Sequence, residues 1–103
     1  MTSRPALDRL DELITELEKI RNTVDPLAQA REIRALDRRA RSVLGHAGNE
    51  AVFLAASEMV GTRKRTHLEV AQALGVTRFR VSNAITDYRS WVASEATDEL
   101  PAA

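Results

Sequence analysis

Apolar residues recur at three- and four-residue spacing through most of the chain, the period of helices with one buried face. Leu7, Leu10, Leu13, Ile14, Leu17 and Ile20 form the first such stripe. It predicts a helix from about Ser3 to Arg21, with Ser3 as N-cap and Pro5 in the first turn. Leu10, Ile14, Leu17 and Val24 also fit two heptads, too short a run to define a coiled coil. Asp25-Pro26 then reads as an N-cap followed by proline at the first helical position. A second helix is expected from there to Leu44, with Leu27, Ala30, Ile33, Leu36, Ala40, Val43 and Leu44 on its apolar face and Gly45 as its stop. The short break between the two favours an antiparallel hairpin.

After a loop over residues 45–49, the run Ala51-Val52-Phe53-Leu54-Ala55-Ala56 predicts a third helix from about Glu50 to Val60, apolar nearly all round and so buried on most sides. Gly61 ends it. No alternating apolar run survives four residues, so no strand is expected. The fold class is all-α with about five helices: an N-terminal antiparallel hairpin (residues 1–45), a three-helix unit (residues 46–95) and a tail (residues 96–103) expected to fray. A chain of 103 residues fits one compact domain overall.

The last two helices carry the most information. Thr66 with Glu69 three residues on makes a capping box. Ala71 is small where two helices would cross closely. Gly75 tolerates the positive φ of a tight turn, Val76 is apolar where that turn must be pinned, and Thr77 is the next N-cap. Val81, Ala84 and Ile85 would bury the final helix, with Leu68, Val70 and Leu74 facing them. Tyr88 and Trp91 extend the apolar face, so this helix is expected to reach about Glu95 and to end against the first two helices or a second subunit.

The pattern Ala-x-x-x-Gly-Val-x-x-x-x-Val-Ser, from Ala71 to Ser82, resembles the helix-turn-helix of bacterial DNA-binding regulators. It is most similar to phage and plasmid repressors and to the promoter-binding region of sigma factors. The resemblance covers about 20–25 residues and does not extend to residues 1–45. It implies that the three-helix unit binds duplex DNA, with the start of the final helix in the major groove. With Val81, Ile85, Tyr88 and Val92 taken as the buried stripe, Phe79, Asn83, Thr86 and Ser90 point the opposite way. The implied base readers are Arg78, Phe79, Arg80, Ser82, Asn83 and Thr86. Arginine can grip guanine and asparagine adenine, each through two hydrogen bonds. Phe79 has two readings, contact with a thymine methyl or packing against a loop or a second subunit. The implied phosphate contacts are Arg63, Lys64 and Arg65 in a basic loop, Thr66 and Thr77 at helix N-termini, and Arg89.

Net charge is zero, which changes this picture only when charge is counted by segment. Residues 61–91 carry six basic side chains against two acidic, a net +4; residues 1–24 carry −1, residues 25–60 balance, and residues 92–103 carry −3. Local excess is what a DNA surface needs. Arg31, Arg34, Arg38 and Arg41 form a basic stripe on the second helix, and Asp8, Glu12 and Glu16 an acidic one on the first; a salt-bridged or solvated face is the simpler reading of both, a further phosphate surface the alternative. Arginine outnumbers lysine thirteen to two, the bias of a GC-rich genome.

Other chemistry finds little support. There is no cysteine, which excludes disulfides, thiolate catalysis and cysteine-bound zinc. His46 and His67 lack ligand-like neighbours in sequence, so no metal or cofactor is expected. No catalytic triad, phosphate loop or convergent carboxylate pair is evident, and the chain does not read as an enzyme. It has no membrane-length apolar run and no secretory-signal layout at its start, so a cytoplasmic location is expected. The expected partners are double-stranded DNA and a second copy, with Leu10, Ile14, Leu17 and Trp91 as dimerisation candidates. A non-regulatory DNA binder is one alternative; a protein-interaction module, such as an antitoxin or polymerase adaptor, is another.

Overall fold

A computed structural model describes the backbone of residues 3–99 and the side chains of residues 3–95. Four helices and one minimal sheet follow in order: α1 (Pro5–Arg21), α2 (Pro26–Ser57), β1 (Met59–Val60), β2 (Arg63–Lys64), α3 (His67–Leu74) and α4 (Arg78–Glu99). None of the described helices is long and apolar enough to cross a membrane. The chain divides into two compact units, residues 1–47 and residues 48–103.

In the first unit, α1 begins at Pro5 with Arg4, not Ser3, in the cap position and no side-chain cap. Proline disfavours helical geometry in the residue before it, so Arg4 is the one that must stand outside the helix. The start of α2 follows expectation: the Asp25 carboxylate accepts from the Leu27 and Ala28 amides at 3.4 and 3.3 Å. The two helices run antiparallel, since the end of α1 and the link after it meet the first turns of α2, whereas Glu16, earlier on α1, meets Arg39 further along α2. Glu16 pairs with Arg39, the Gln29 amide donates to the Ile20 carbonyl at 3.0 Å, and the Thr23 hydroxyl donates to Glu32 at 2.7 Å. Ala6, Ile20 and Leu36 are buried. Ile14, Leu17, Leu27, Ile33 and Leu44, all expected on buried faces, stand about half or more in water.

The expected stop at Gly45 and loop over residues 45–49 do not exist. α2 runs unbroken for 32 residues through Gly45 and Gly48, which is why there are four helices and not five. Glycine ends a helix when the chain turns left-handed there, and neither of these has positive φ. One row keeps its phase across them: Leu36, Ala40, Val43, Ala47, Glu50 and Leu54, all buried or half-buried. Each glycine costs the helix about 1 kcal/mol against alanine, and the continuous row offsets it.

α2 stops at Ser57, short of the expected Val60. Met59–Val60 pairs instead with Arg63–Lys64 as an antiparallel hairpin, Met59 opposite Lys64 and Val60 opposite Arg63. Gly61, at φ +67°, opens the two-residue turn, where the first central residue of a type II′ turn needs positive φ. Strands of two residues leave no alternation to detect, so the expectation of no strand fails here.

The core of the second unit is Val70, Ala71, Val81 and Ile85, with Val52, Phe53, Ala55, Ala56 and Val76 packed on it. The 51–56 run is less buried than expected, with Ala51 exposed and the rest intermediate. Leu68 and Leu74, expected to face α4, are exposed, and so is Val92. Tyr88 continues the buried row, stacking on Phe53 at 5.1 Å and Trp91 at 6.1 Å between ring centroids. Its hydroxyl donates to the wholly buried Glu50 at 3.2 Å. α4 runs to Glu99, past the expected end near Glu95; residues 100–103 of the expected tail lie outside those described.

Candidate nucleic-acid interface

The α3–turn–α4 segment is built by local chemistry. Thr66 accepts from the Glu69 amide at 3.1 Å, and the Glu69 carboxylate accepts from the Thr66 amide at 3.3 Å, so the capping box is complete. At the other end Gly75 takes φ +69°. Its N–H donates to the Gln72 carbonyl at 3.4 Å and that of Val76 to the Ala71 carbonyl at 3.0 Å. This paired closure satisfies two orphan carbonyls and turns the chain sharply. Val76 then folds onto the core. Thr77 caps α4, its hydroxyl accepting from the Arg80 amide at 3.2 Å.

This frame fixes what α4 presents. Burial of Val81, Ile85 and Tyr88 turns Arg78, Phe79, Arg80, Asn83, Thr86 and Asp87 into water. Phe79 is 72% exposed. Five of the six expected base readers therefore share the exposed amino-terminal half of α4. The sixth, Ser82, is half-buried, and its hydroxyl meets His67 Nδ1 at 3.0 Å. That bond ties α4 to α3.

The expected basic loop is the hairpin's second strand and its exit, and its charge is partly spent inside the protein. Arg63 pairs with Glu69 at 2.5 Å, and Arg65 pairs with Glu58 and donates to the Ala55 carbonyl at 3.3 Å. Lys64 is exposed and has no ion pair among the described residues. Thr66 and Thr77 use their hydroxyls as caps. The Arg89 guanidinium lies over the Phe53 ring at 5.5 Å, an arrangement that holds the cation on an aromatic face. Lys64, Arg65, His67, Arg89 and Ser57 nevertheless line one cleft of about 250 Å³, floored by Phe53, Ala56 and Ile85. Sequence spacing gave no sign of this convergence, because it depends on the hairpin bringing Lys64 back toward α4.

Glu69 is the electrostatic hinge of the hairpin and α3. The hydrogen bond from Arg63, then that from the Thr66 backbone, holds its carboxyl below the usual carboxylate range, and the same bond raises the Arg63 guanidinium above its ordinary value. A carboxyl depressed on folding contributes stability above its unfolded value of about 4.3, and the contribution is lost as pH falls through the folded value. Glu69→Gln keeps the cap but loses the ion pair. Thermal melts should show wild type ahead of this variant near neutral pH and the gap closing at about pH 3.

Of the remaining sequence-stripe residues, Arg31, Arg34, Arg38 and Arg41 are all exposed; Arg41 pairs with Asp37 on its own helix at 3.0 Å. Of the acidic stripe only Glu16 makes a cross-helix ion pair among the described residues, and its partner is Arg39. Among the described residues no three His, Asp or Glu side chains come together to hold a metal ion. Comparison with protein-family models, curated proteins and solved structures finds no match to this chain.

Proposed function

We propose that this chain is a bacterial transcriptional regulator that binds duplex DNA sequence-specifically, with α3, the Gly75 turn and α4 acting as a helix-turn-helix. The observation that carries the reading is the pairing of a buried scaffold with an exposed polar face. Val70, Ala71, Val81 and Ile85 lock α4 in place while Arg78, Phe79, Arg80, Asn83 and Thr86 stand uncovered at its amino-terminal half. That end of such a helix enters the major groove. Arg78, Arg80 and Asn83 supply the hydrogen-bonding groups that distinguish guanine and adenine edges, and Phe79 an apolar contact for a thymine methyl. Lys64 and Arg89, on the cleft beside α3 and α4, then contact backbone phosphate. Such a protein works in the cytoplasm, where the bacterial genome lies. Two copies would read two half-sites, since one such module covers little DNA.

The test is a salt titration of binding to a labelled random duplex, read by fluorescence anisotropy. Affinity should fall linearly with salt on logarithmic axes. Lys64→Ala, which removes the one hairpin cation not paired among the described residues, should flatten that slope by about 0.9. Arg63→Ala should flatten it less, because Arg63 is already paired with Glu69. Absence of salt-dependent binding would overturn the proposal and favour a protein-interaction role.

A further inference from the structure

The cleft beside α3 and α4 is lined by His67 as well as by Ser57, Lys64, Arg65 and Arg89. The hairpin and its exit thus bring two cations to it and α4 one, while α2 brings a hydroxyl. No Asp or Glu lines it among the described residues. Glu58 and Glu69, the carboxylates that meet the hairpin cations, are held by Arg65 and Arg63. On α4, Ser82 and Arg89 lie within about 20° of each other round the helix. Buried Ile85 is about 40–60° to one side of them, and exposed Thr86 about 40–60° to the other. The cleft therefore borders the face that carries Asn83 and Thr86, and an anion seated in it lies beside that face.

His67 is the first residue of α3 and is exposed to water. Its Nδ1 is engaged with the Ser82 hydroxyl at 3.0 Å, which leaves Nε2 for a ligand. A hydroxyl can donate or accept. Ser82 therefore keeps its bond whether or not Nδ1 carries a proton, and the ring can gain a second proton without loosening α3 from α4. A phosphate diester offers only acceptors and one negative charge. It gains most from an imidazolium, whose bond to it is charge-assisted and roughly twice as strong as that of the neutral ring. Histidine is the side chain whose charge changes between about pH 5 and 8, a range across which lysine and arginine keep theirs.

We infer that His67 is a further phosphate ligand of this cleft, and that it takes up a proton when duplex DNA binds. The contact is a hydrogen bond from the ring to a non-bridging oxygen of the DNA backbone. The proton comes from solvent, and no covalent bond of the DNA changes. Lys64 and Arg89 hold phosphate across the whole range, and His67 adds its charged contact as pH falls. The direction follows from linkage: a complex that binds more protons than its separate parts tightens as pH falls. The inference rests on the DNA contact proposed above and gives that contact a pH dependence.

The test is anisotropy on a labelled random duplex at constant ionic strength, from about pH 8 to about pH 5.5. Wild type should tighten about fivefold across that range, the gain from a neutral to a charged hydrogen bond. His67→Gln, which keeps a hydrogen-bonding amide but cannot gain charge, should lose the rise. His67→Arg, charged throughout, should bind more tightly than His67→Gln at both ends, with an equally flat profile. Lys64→Ala should weaken binding at every pH and keep the rise. Circular dichroism should be unchanged in both His67 variants, since the position is exposed. His46 and the carboxylates are common to all four proteins, so the differences between profiles isolate this one side chain. By nuclear magnetic resonance, the pH at which the His67 ring signal shifts should move upward when duplex is added. A wild-type profile that coincides with that of His67→Gln, or a His67 midpoint not raised by duplex, would overturn the inference and leave the DNA contact standing. Binding by none of the proteins at any pH would overturn both.

Discussion

Val81→Asp should unfold the second compact unit. Val81 is 1% exposed and sits in the cluster with Val70, Ala71 and Ile85. A carboxylate there would lose its hydration and meet only aliphatic side chains, and the two methyl groups that joined α4 to α3 would be gone. Together these cost about 4 kcal/mol or more, against a total stability of about 5–15 kcal/mol for a typical domain. Far-UV circular dichroism should show lost helix and a melting transition shifted down or lost. Val81→Ala, which makes a cavity without burying a charge, should cost less, about 1–3 kcal/mol. A Val81→Asp protein that melts within a few degrees of wild type would mean that α4 is not locked by this cluster.

Asn83→Ala, two residues further along the same helix, should do the opposite. Its side chain is exposed, and truncation should leave the melting temperature almost unchanged, as surface changes usually do. On a preferred duplex it should weaken binding by about 1–3 kcal/mol, roughly 5- to 150-fold, and relax the preference at one base pair. On random duplex it should change little, because phosphate contacts carry that binding. Arg78→Ala and Arg80→Ala should weaken both, since each removes a positive charge as well as a base contact. Gel shifts on the two duplexes separate these cases. Equal loss on both for Asn83→Ala would remove it from the set of base readers.

The contrast between Val81 and Asn83 was readable from spacing alone, as were Thr66, Glu69, Gly75 and Thr77. Each of those acts on backbone within four residues of itself, so its chemistry is local. The long α2 was not readable. Glycine at 45 and 48 looks like a break unless the row through Leu36, Val43, Ala47 and Leu54 is followed past it, and that row contains Glu50. A buried glutamate spoils the apolar pattern until Tyr88, 38 residues away, is seen to donate to it. The hairpin escaped notice because two-residue strands have no period. Its cations are less available than segment composition implies for a related reason: the Arg63–Glu69 and Arg65–Glu58 pairs form across a turn. Ser82 sits correctly on its helix, yet its hydroxyl belongs to His67, a contact between elements. The exposed aliphatic strip of α1 and α2 shows the converse. Periodicity marks Ile14, Leu17, Ile33 and Leu44 as buried, and they are not.

The central claim, that the exposed amino-terminal half of α4 reads duplex DNA, is tested most directly by selecting bound fragments from a random duplex library and sequencing them. The account predicts enrichment of a short sequence motif, with the preference at one base pair lost when Asn83→Ala is carried through the same selection. A bound pool indistinguishable from the input library, or a motif unchanged by Asn83→Ala, Arg78→Ala and Arg80→Ala together, would contradict it.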